Sequence, residues 1–221
     1  TEAPHTDVAL SSRVRLARNL GNIPFPNQAT ETDLAKVVGQ VVKAISRVPK
    51  LSGLEIIRLS EASALDRQVL VEKHLISPQH AQGGEMRLAI VAGDESISVM
   101  VNEEDHIRIQ TLLPGFQLYE AYQLADEIDD LFESQLDYAF DERIGYLAAC
   151  PTNVGTGLRV SIMVHLPALA ATGHVMAVLS AVSKLGIAVR GLYGEGSEAL
   201  GEIDQFSEPG GLGRLGNSVS F

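Results

Sequence analysis

Residues 86–108, MRLAIVAGDESISVMVNEEDHIR, decide how this chain folds. Two apolar runs, 86–91 and 97–101, flank a segment centred on Gly93 and Asp94, which is the composition of a hairpin turn. In the second run Ile97, Val99 and Val101 alternate with smaller or polar neighbours, the period of a strand with one buried face. This strand runs directly into Glu103, Glu104 and Asp105, followed by His106 and Arg108. Dense charge at the end of an apolar strand can bind a metal, act as a base or receive a cationic substrate, and a solvated turn is the plainer alternative. No second ligand group at recognisable spacing supports a metal.

Outward from the hairpin the pattern alternates between helix and strand. Upstream, Thr30 or Thr32 can cap a helix in which Leu34, Val37, Val38, Val41, Val42 and Ile45 recur at helical spacing until Pro49. Segment 54–59 (LEIIRL) reads as a strand and 64–74 as a short helix. Downstream, Pro114-Gly115 breaks the chain before a helix with Leu124, Ile128, Leu131 and Phe132 on one stripe; Asp126, Glu127, Asp129, Asp130 and Glu133 are expected on solvated faces. Segments 146–149 and 159–165 read as strands flanking the loop CPTNVGTG, and 167–184 as one helix stopped at Leu185-Gly186. A strand at 187–190 opens onto GLYGEGSEALG. These elements predict an α+β fold, an antiparallel β-sheet flanked by α-helices, rather than a doubly wound one. Residues 1–203 form the expected domain, and 204–221, with Gly210, Gly211, Gly213 and Gly216, read as a loose glycine-rich tail.

Composition narrows the class. The 221 residues are 45% hydrophobic and 20% charged, which suits a packed globular chain and argues against wholesale disorder. Apolar stretches are interrupted well before the roughly 20 residues a membrane span needs. A net charge of −11 speaks against nucleic acid as the main partner and favours cationic ones. The single cysteine, Cys150, cannot form an internal disulfide, which fits a cytoplasmic protein. Thr1–Asp7 is polar and acidic and does not read as a secretory signal.

Neither a G-x-x-x-x-G-K-[ST] loop nor a kinase-type G-x-G-x-x-G with V-A-I-K is present, so a bound nucleotide would need another phosphate holder. Arginine is the obvious substitute, because its rigid fork matches phosphate oxygens and keeps its charge. SSRVRLARN places Arg13 and Arg15 on one face of an extended strand, as a phosphate clamp or as surface arginines on an edge strand; Arg18 is ambiguous. CPTNVGTGLR joins Cys150, reactive or inertly buried, to loop amides and Arg159. VRGLYGEGSEALG adds Arg190, Glu195 and Glu198 on a glycine-spaced segment, lid-like or merely a turn.

Taken together and in order, SSRVRLARN, NEEDHIRI, CPTNVGTGLR and RGLYGEGSEALG resemble the ATP:guanido phosphotransferase family, which includes creatine and arginine kinases. The resemblance runs from about Val8 to Gly201. It implies that Arg13, Arg15, Arg108, Arg159 and Arg190 hold the phosphates of ATP, that Glu104 receives and orients the guanidinium, and that Glu195 is a second carboxylate and Cys150 the reactive thiol. ATP and Mg²⁺ are the implied cofactors, with no metal-ligating side chains required, since Mg²⁺ commonly keeps its waters and binds phosphates.

Within the family the wording VEKHLISP, YAFDERIGYLAACPTNVGTGLR and YGEGSEALG is similar to the bacterial enzymes that phosphorylate arginine side chains in proteins. That likeness implies arginine-containing protein substrates, stress regulation and degradation, an activator protein and the Clp protease machinery as partners, and room for an oligomer. A kinase for free arginine, or an inactive module that binds nucleotide or phosphoarginine, are the competing readings. The helical domain that precedes S-[ST]-R-V-R in creatine and arginine kinases has no counterpart before Ser11. After GSEALG the family continues into a buried strand, whereas this chain reads Glu202-Ile203-Asp204-Gln205-Phe206 and then glycines. The last strand is therefore expected to be altered or absent, leaving the fold incomplete at its C-terminal end.

Overall fold

The hairpin expected at 86–101 is formed in the computed structural model, which describes residues 3–190 and 203–207. Its strands are β3 (Leu88–Val91) and β4 (Ile97–Val101), preceded by β1 (Ala9–Arg18) and β2 (Glu55–Arg58) and followed by β5 (Ile107–Pro114). The first helices are α1 (Glu31–Arg47) and α2 (Ala64–Glu72), and α3 (Leu118–Glu133) follows β5. Then come two short strands, β6 (Phe140–Asp141) and β7 (Gly145–Tyr146), and β8 (Leu158–His165), α4 (Pro167–Ala171), α5 (Val175–Lys184), β9 (Ala188–Arg190) and β10 (Ile203–Ser207). Two compact units share the described residues: a larger one of 15–111 and 123–158, and a smaller one of 3–14, 112–122, 159–190 and 203–207.

In the larger unit the strand order is β2-β3-β4-β5-β1. Register places Leu88 opposite Val101, Ala89 opposite Met100 and Ile90 opposite Val99, so alternate residues share a face. One face packs Ala89, Val91 and Met100 with Leu59, Leu75 and Ile76, covered by Leu70 and Val71 from the α2 region. The other carries Leu88, Ile90, Val99 and Val101, all fully buried. Each such side chain contributes about 2 kcal/mol of burial, so packing rather than turn chemistry holds this hairpin. The turn adds Asp94 Oδ1, which accepts from Ser96 N–H at 3.1 Å, and Glu95 in the left-handed region at φ 63°.

The first helix starts where its sequence says. Thr30 accepts from Asp33 N–H while the Asp33 carboxylate accepts from Thr30 N–H, a reciprocal cap that Ser63 and Asp66 repeat at α2. Val37, Val38, Val41, Ala44 and Ile45 are its buried stripe.

In the smaller unit the order is β1-β8-β10-β9. Ser12 Oγ accepts from Gln117 N–H at 2.8 Å and donates to the Gly115 carbonyl at 2.8 Å, tying β1 to the turn before α3. β10 pairs antiparallel with β8, Ile203 opposite His165, and with β9, Gln205 opposite Arg190.

Several expectations need correction. The final strand is altered in sequence but formed, and residues 204–207 belong to it rather than to a tail. Pairing on both sides satisfies its backbone groups, and partner edges outweigh its weak apolar pattern. β1 is paired in each unit, with β5 in the larger and with β8 in the smaller. Only Tyr146 of the expected 146–149 strand is paired in β7; Leu147 N–H instead reaches the Ala139 carbonyl. The expected helix 167–184 is divided at Gly173, which adopts φ 70°, outside helical geometry. On α3, Asp129 is buried and not solvated, because Arg18 meets it at 2.6 Å.

Candidate active site

Asn102, at φ 60°, reverses the chain between β4 and β5, and Asn102 N–H donates to the His106 carbonyl at 2.9 Å. Five residues are thus folded into a tight turn whose side chains point in different directions. Glu103 and Asp105 are buried, which excludes the plain solvated turn. Asn19, at the end of β1, braces it: its Nδ2 donates to Asp105 Oδ1 at 2.7 Å and its Oδ1 accepts from His106 N–H at 2.9 Å. His106 Nδ1 accepts from Leu20 N–H at 3.1 Å, so the ring proton sits on Nε2 and faces the Pro24 carbonyl at 3.0 Å. Burial lowers the His106 pKa, only partly opposed by that carbonyl and by Asp105, and keeps the ring neutral.

The charged groups of the turn form a fork around Arg108. Its Nη1 lies 2.6 Å from Glu103 Oε2, and its Nη2 donates to Glu104 Oε2 at 3.1 Å. The two carboxylates are not equivalent. Glu103 is 3% exposed and accepts a 2.5 Å hydrogen bond from the Ser77 hydroxyl, whereas Glu104 is 41% exposed. Burial alone would raise the Glu103 carboxyl, but Arg108, Ser77 and the Glu104 N–H together hold it below its ordinary value. Glu103 is therefore an ionised anchor for Arg108, and Glu104 is the carboxylate presented to solvent.

Cys150 joins this group through the backbone. Ala149 N–H donates to Asp105 Oδ1 at 2.7 Å, holding the cysteine loop against the acidic turn. Pro151–Asn153 then forms a single helical turn, and the half-buried Cys150 Sγ lies 3.0 Å from Thr152 Oγ1. Arg15 is half-buried on β1, the strand beside β5 and its Arg108.

Arg18 does different work. Its Nε and Nη2 grip Asp129 Oδ2 at 3.0 and 2.6 Å, its Nη1 donates to the Thr156 carbonyl at 2.9 Å, and its guanidinium lies 3.7 Å from the Tyr146 ring centroid. It supports the loop and is no clamp residue. Burial raises the Asp129 carboxyl, opposed by Arg18.

The smaller unit carries its own arginines. Arg13 Nε donates to Ser161 Oγ at 3.4 Å, and Ser161 stands two residues after Arg159 on β8, which puts Arg13 and Arg159 on one face. Arg190 ends β9. Glu195 and Glu198 lie outside the described residues. Asn19, Ser77, Asp105 and His106 were not assigned from sequence. Asn19, Asp105 and His106 sit inside quoted motifs, but their partners are remote in sequence. Among the described residues no group of three or more His, Cys, Asp or Glu is placed to hold a metal ion.

Residues 36–218 match the ATP:guanido phosphotransferase C-terminal catalytic domain. The protein-arginine kinase of Halothermothrix orenii is 51% identical over 218 residues, which cover 99% of this chain and 62% of that protein. That of Moorella thermoacetica is 53% identical over 214 residues, 96% of this chain and 61% of the relative. The chain thus spans about three-fifths of the length of these relatives. Among solved structures, the substrate-free duplicated taurocyamine kinase of Schistosoma mansoni superposes with a TM-score of 0.78 at 25% identity, over 96% of this chain and 32% of that one. Lombricine kinase gives a TM-score of 0.81 at 21% identity, over 95% and 61% of the two chains, a likeness of fold alone. This chain therefore belongs to the ATP:guanido phosphotransferase family, residues 36–218 corresponding to its C-terminal catalytic domain.

Proposed function

We propose that the chain is the catalytic part of a protein-arginine kinase, transferring the γ-phosphoryl group of ATP to the guanidinium of arginine side chains in proteins. The observation that carries this reading is the Arg108–Glu104 pair, in which a partly exposed carboxylate already accepts from a guanidinium at 3.1 Å. The names of the relatives at 51% and 53% identity support the macromolecular acceptor.

A guanidinium is a poor nucleophile because its pKa is above about 12 and its lone pairs are delocalised. Glu104 would orient it and take one proton as a nitrogen bonds to the γ-phosphorus; the bond from that phosphorus to the bridging oxygen breaks and ADP leaves. Glu195 is the second carboxylate in this scheme, and Cys150, as thiolate, would favour the cation electrostatically. Arg13, Arg15, Arg108, Arg159 and Arg190 would neutralise the phosphates, with Mg²⁺ supplying further neutralisation when bound. The arginines suit that role, since Arg13, Arg15, Arg108 and Arg159 are all anchored on strands and only partly exposed. By family likeness an activator protein, the Clp protease machinery and a cytoplasmic setting belong to the same reading; no helix among the described residues is long and apolar enough to cross a membrane.

Incubation with Mg-ATP and an arginine-rich polypeptide should yield acid-labile phosphoarginine on the polypeptide, and much less on free arginine. Equal or better turnover of free arginine would replace this reading with a small-guanidine kinase. Nucleotide binding without any transfer, unchanged by Glu104→Gln, would leave only a binding module.

A further inference from the structure

Beside the acidic turn, within the larger unit, lies a cavity of about 180 Å³ that the phosphoryl-transfer scheme does not use. Pro26, Leu34 and Met86 give it apolar walls, and Glu31, Glu85 and Glu103 also line it. Arg87 also lines it, with Nη1 donating to the Gln79 carbonyl at 2.7 Å. Glu103 is satisfied by Ser77 and Arg108, but Glu31 and Glu85 are exposed and neither is in an ion pair with a described residue. A second observation is independent of these acids. Asn102 lines the cavity at 3% exposure; its Nδ2 is committed to the Leu34 and Met86 carbonyls at 3.1 and 2.7 Å, while its Oδ1 has no donor among the described residues. A buried acceptor without a donor is costly, and a ligand N–H would relieve it.

Apolar walls, unpaired carboxylates and an unmet acceptor suit an alkyl chain ending in a cation. No metal-holding group occurs among the described residues, so an organic cation fits better than an ion. The location ties the cavity to the acceptor site, because Arg108 bridges Glu103 in the cavity wall to Glu104. We infer that this cavity is a specificity subsite for a second basic side chain, lysine or arginine, of a polypeptide substrate, separate from the arginine that is phosphorylated. This rests on the protein-arginine kinase reading.

The test compares two peptides in a glycine-serine host, one with a single arginine and one with an added lysine a few residues away. The lysine peptide should show a KM lower by roughly tenfold, the worth of two modest ion pairs. Glu31→Gln/Glu85→Gln should erase that difference while leaving kcat, the KM for ATP and the single-arginine KM unchanged. No preference in the unaltered protein, or a preference that survives the double substitution, overturns the subsite. A fluorescent lysine peptide without arginine separates this from the activity itself. If neither peptide is phosphorylated but salt and the double substitution weaken this binding, the subsite stands and the kinase reading falls. Absent or unaltered binding overturns the subsite.

Discussion

Asp105 Oδ1 accepts the backbone N–H of Ala149 at 2.7 Å, so the residue after Glu104 holds the residue before Cys150. A fully buried carboxylate is the brace between the acidic turn and the thiol loop. Asp105→Ala should leave Ala149 and Asn19 without their acceptor, speed alkylation of Cys150 by iodoacetamide severalfold and lower kcat more than the KM for ATP. Asp105→Asn keeps an acceptor oxygen and should stay close to the unaltered protein in both assays. Identical alkylation rates in all three proteins would refute the brace.

Ser77 reaches Arg108 only through Glu103, and that makes it a positioning residue with a pH signature. The Glu103 carboxyl is held below its ordinary value, so its contribution is complete above the usual carboxylate range and is lost only as pH falls through that lowered value. Ser77→Ala removes one of the groups favouring the carboxylate and should move the acid-side rise in the KM for ATP to higher pH. Ser77→Thr should restore the profile, and superimposable profiles for serine and alanine would exclude this role.

His80 is fully buried and donates from Nε2 to the Leu88 carbonyl at 2.9 Å. Burial lowers its pKa from 6.5 to about 4, against the opposing pull of Leu88 and Glu103 and with help from Arg87 and Arg108. Between these values the unfolded chain binds a proton that the folded chain refuses, so stability falls as pH drops from 6.5 to about 4. The loss amounts to at most about 3 kcal/mol. Urea midpoints measured across this range should decline for the unaltered protein and flatten for His80→Gln; parallel curves would count against it.

Gly157 sits at φ +64°, and a Cβ there would lie 2.6 Å from both the Ala17 carbonyl oxygen and Arg18 Nη1. Backbone cannot yield as a side-chain tip can. Gly157→Ala should destabilise the protein by about 1–3 kcal/mol through strain and by displacing Arg18 from the Thr156 carbonyl. Thermal unfolding measures it, whereas Gly39→Ala, with open space around its Cβ position, should not destabilise.

What could be read from sequence was what repeats at short range. The 86–101 alternation, the Thr30 cap and the Gly-containing breaks placed α1 and β2 to β4 within a few residues, because local periods decide them, whereas β5 went unread behind its charged start. Partners distant in sequence were invisible. Asp129 looks like one more acid on α3 until Arg18, 111 positions earlier, is folded against it. Asp105 and Asn19 sit in recognisable motifs, yet their bracing role depends on contacts 44 and 86 residues away. The strand at 203–207 has little pattern of its own and depends on its neighbours β8 and β9. Of the proposed site, Glu104 and Arg108 are joined directly, Cys150 is tied in through Asp105, and Arg13 and Arg159 share a face of the smaller unit.

Glu104 does not wait with an empty carboxylate, since Arg108 is already on it. Under the proposed function, a visiting guanidinium would have to trade places with one that the chain owns, and phosphate oxygens that draw Arg108 aside would vacate the seat. The strength of acceptor binding is then a difference between two nearly identical ion pairs. Arg108 would then be a resident understudy for the substrate, and the identity of whatever displaces it would matter more than the charge it carries.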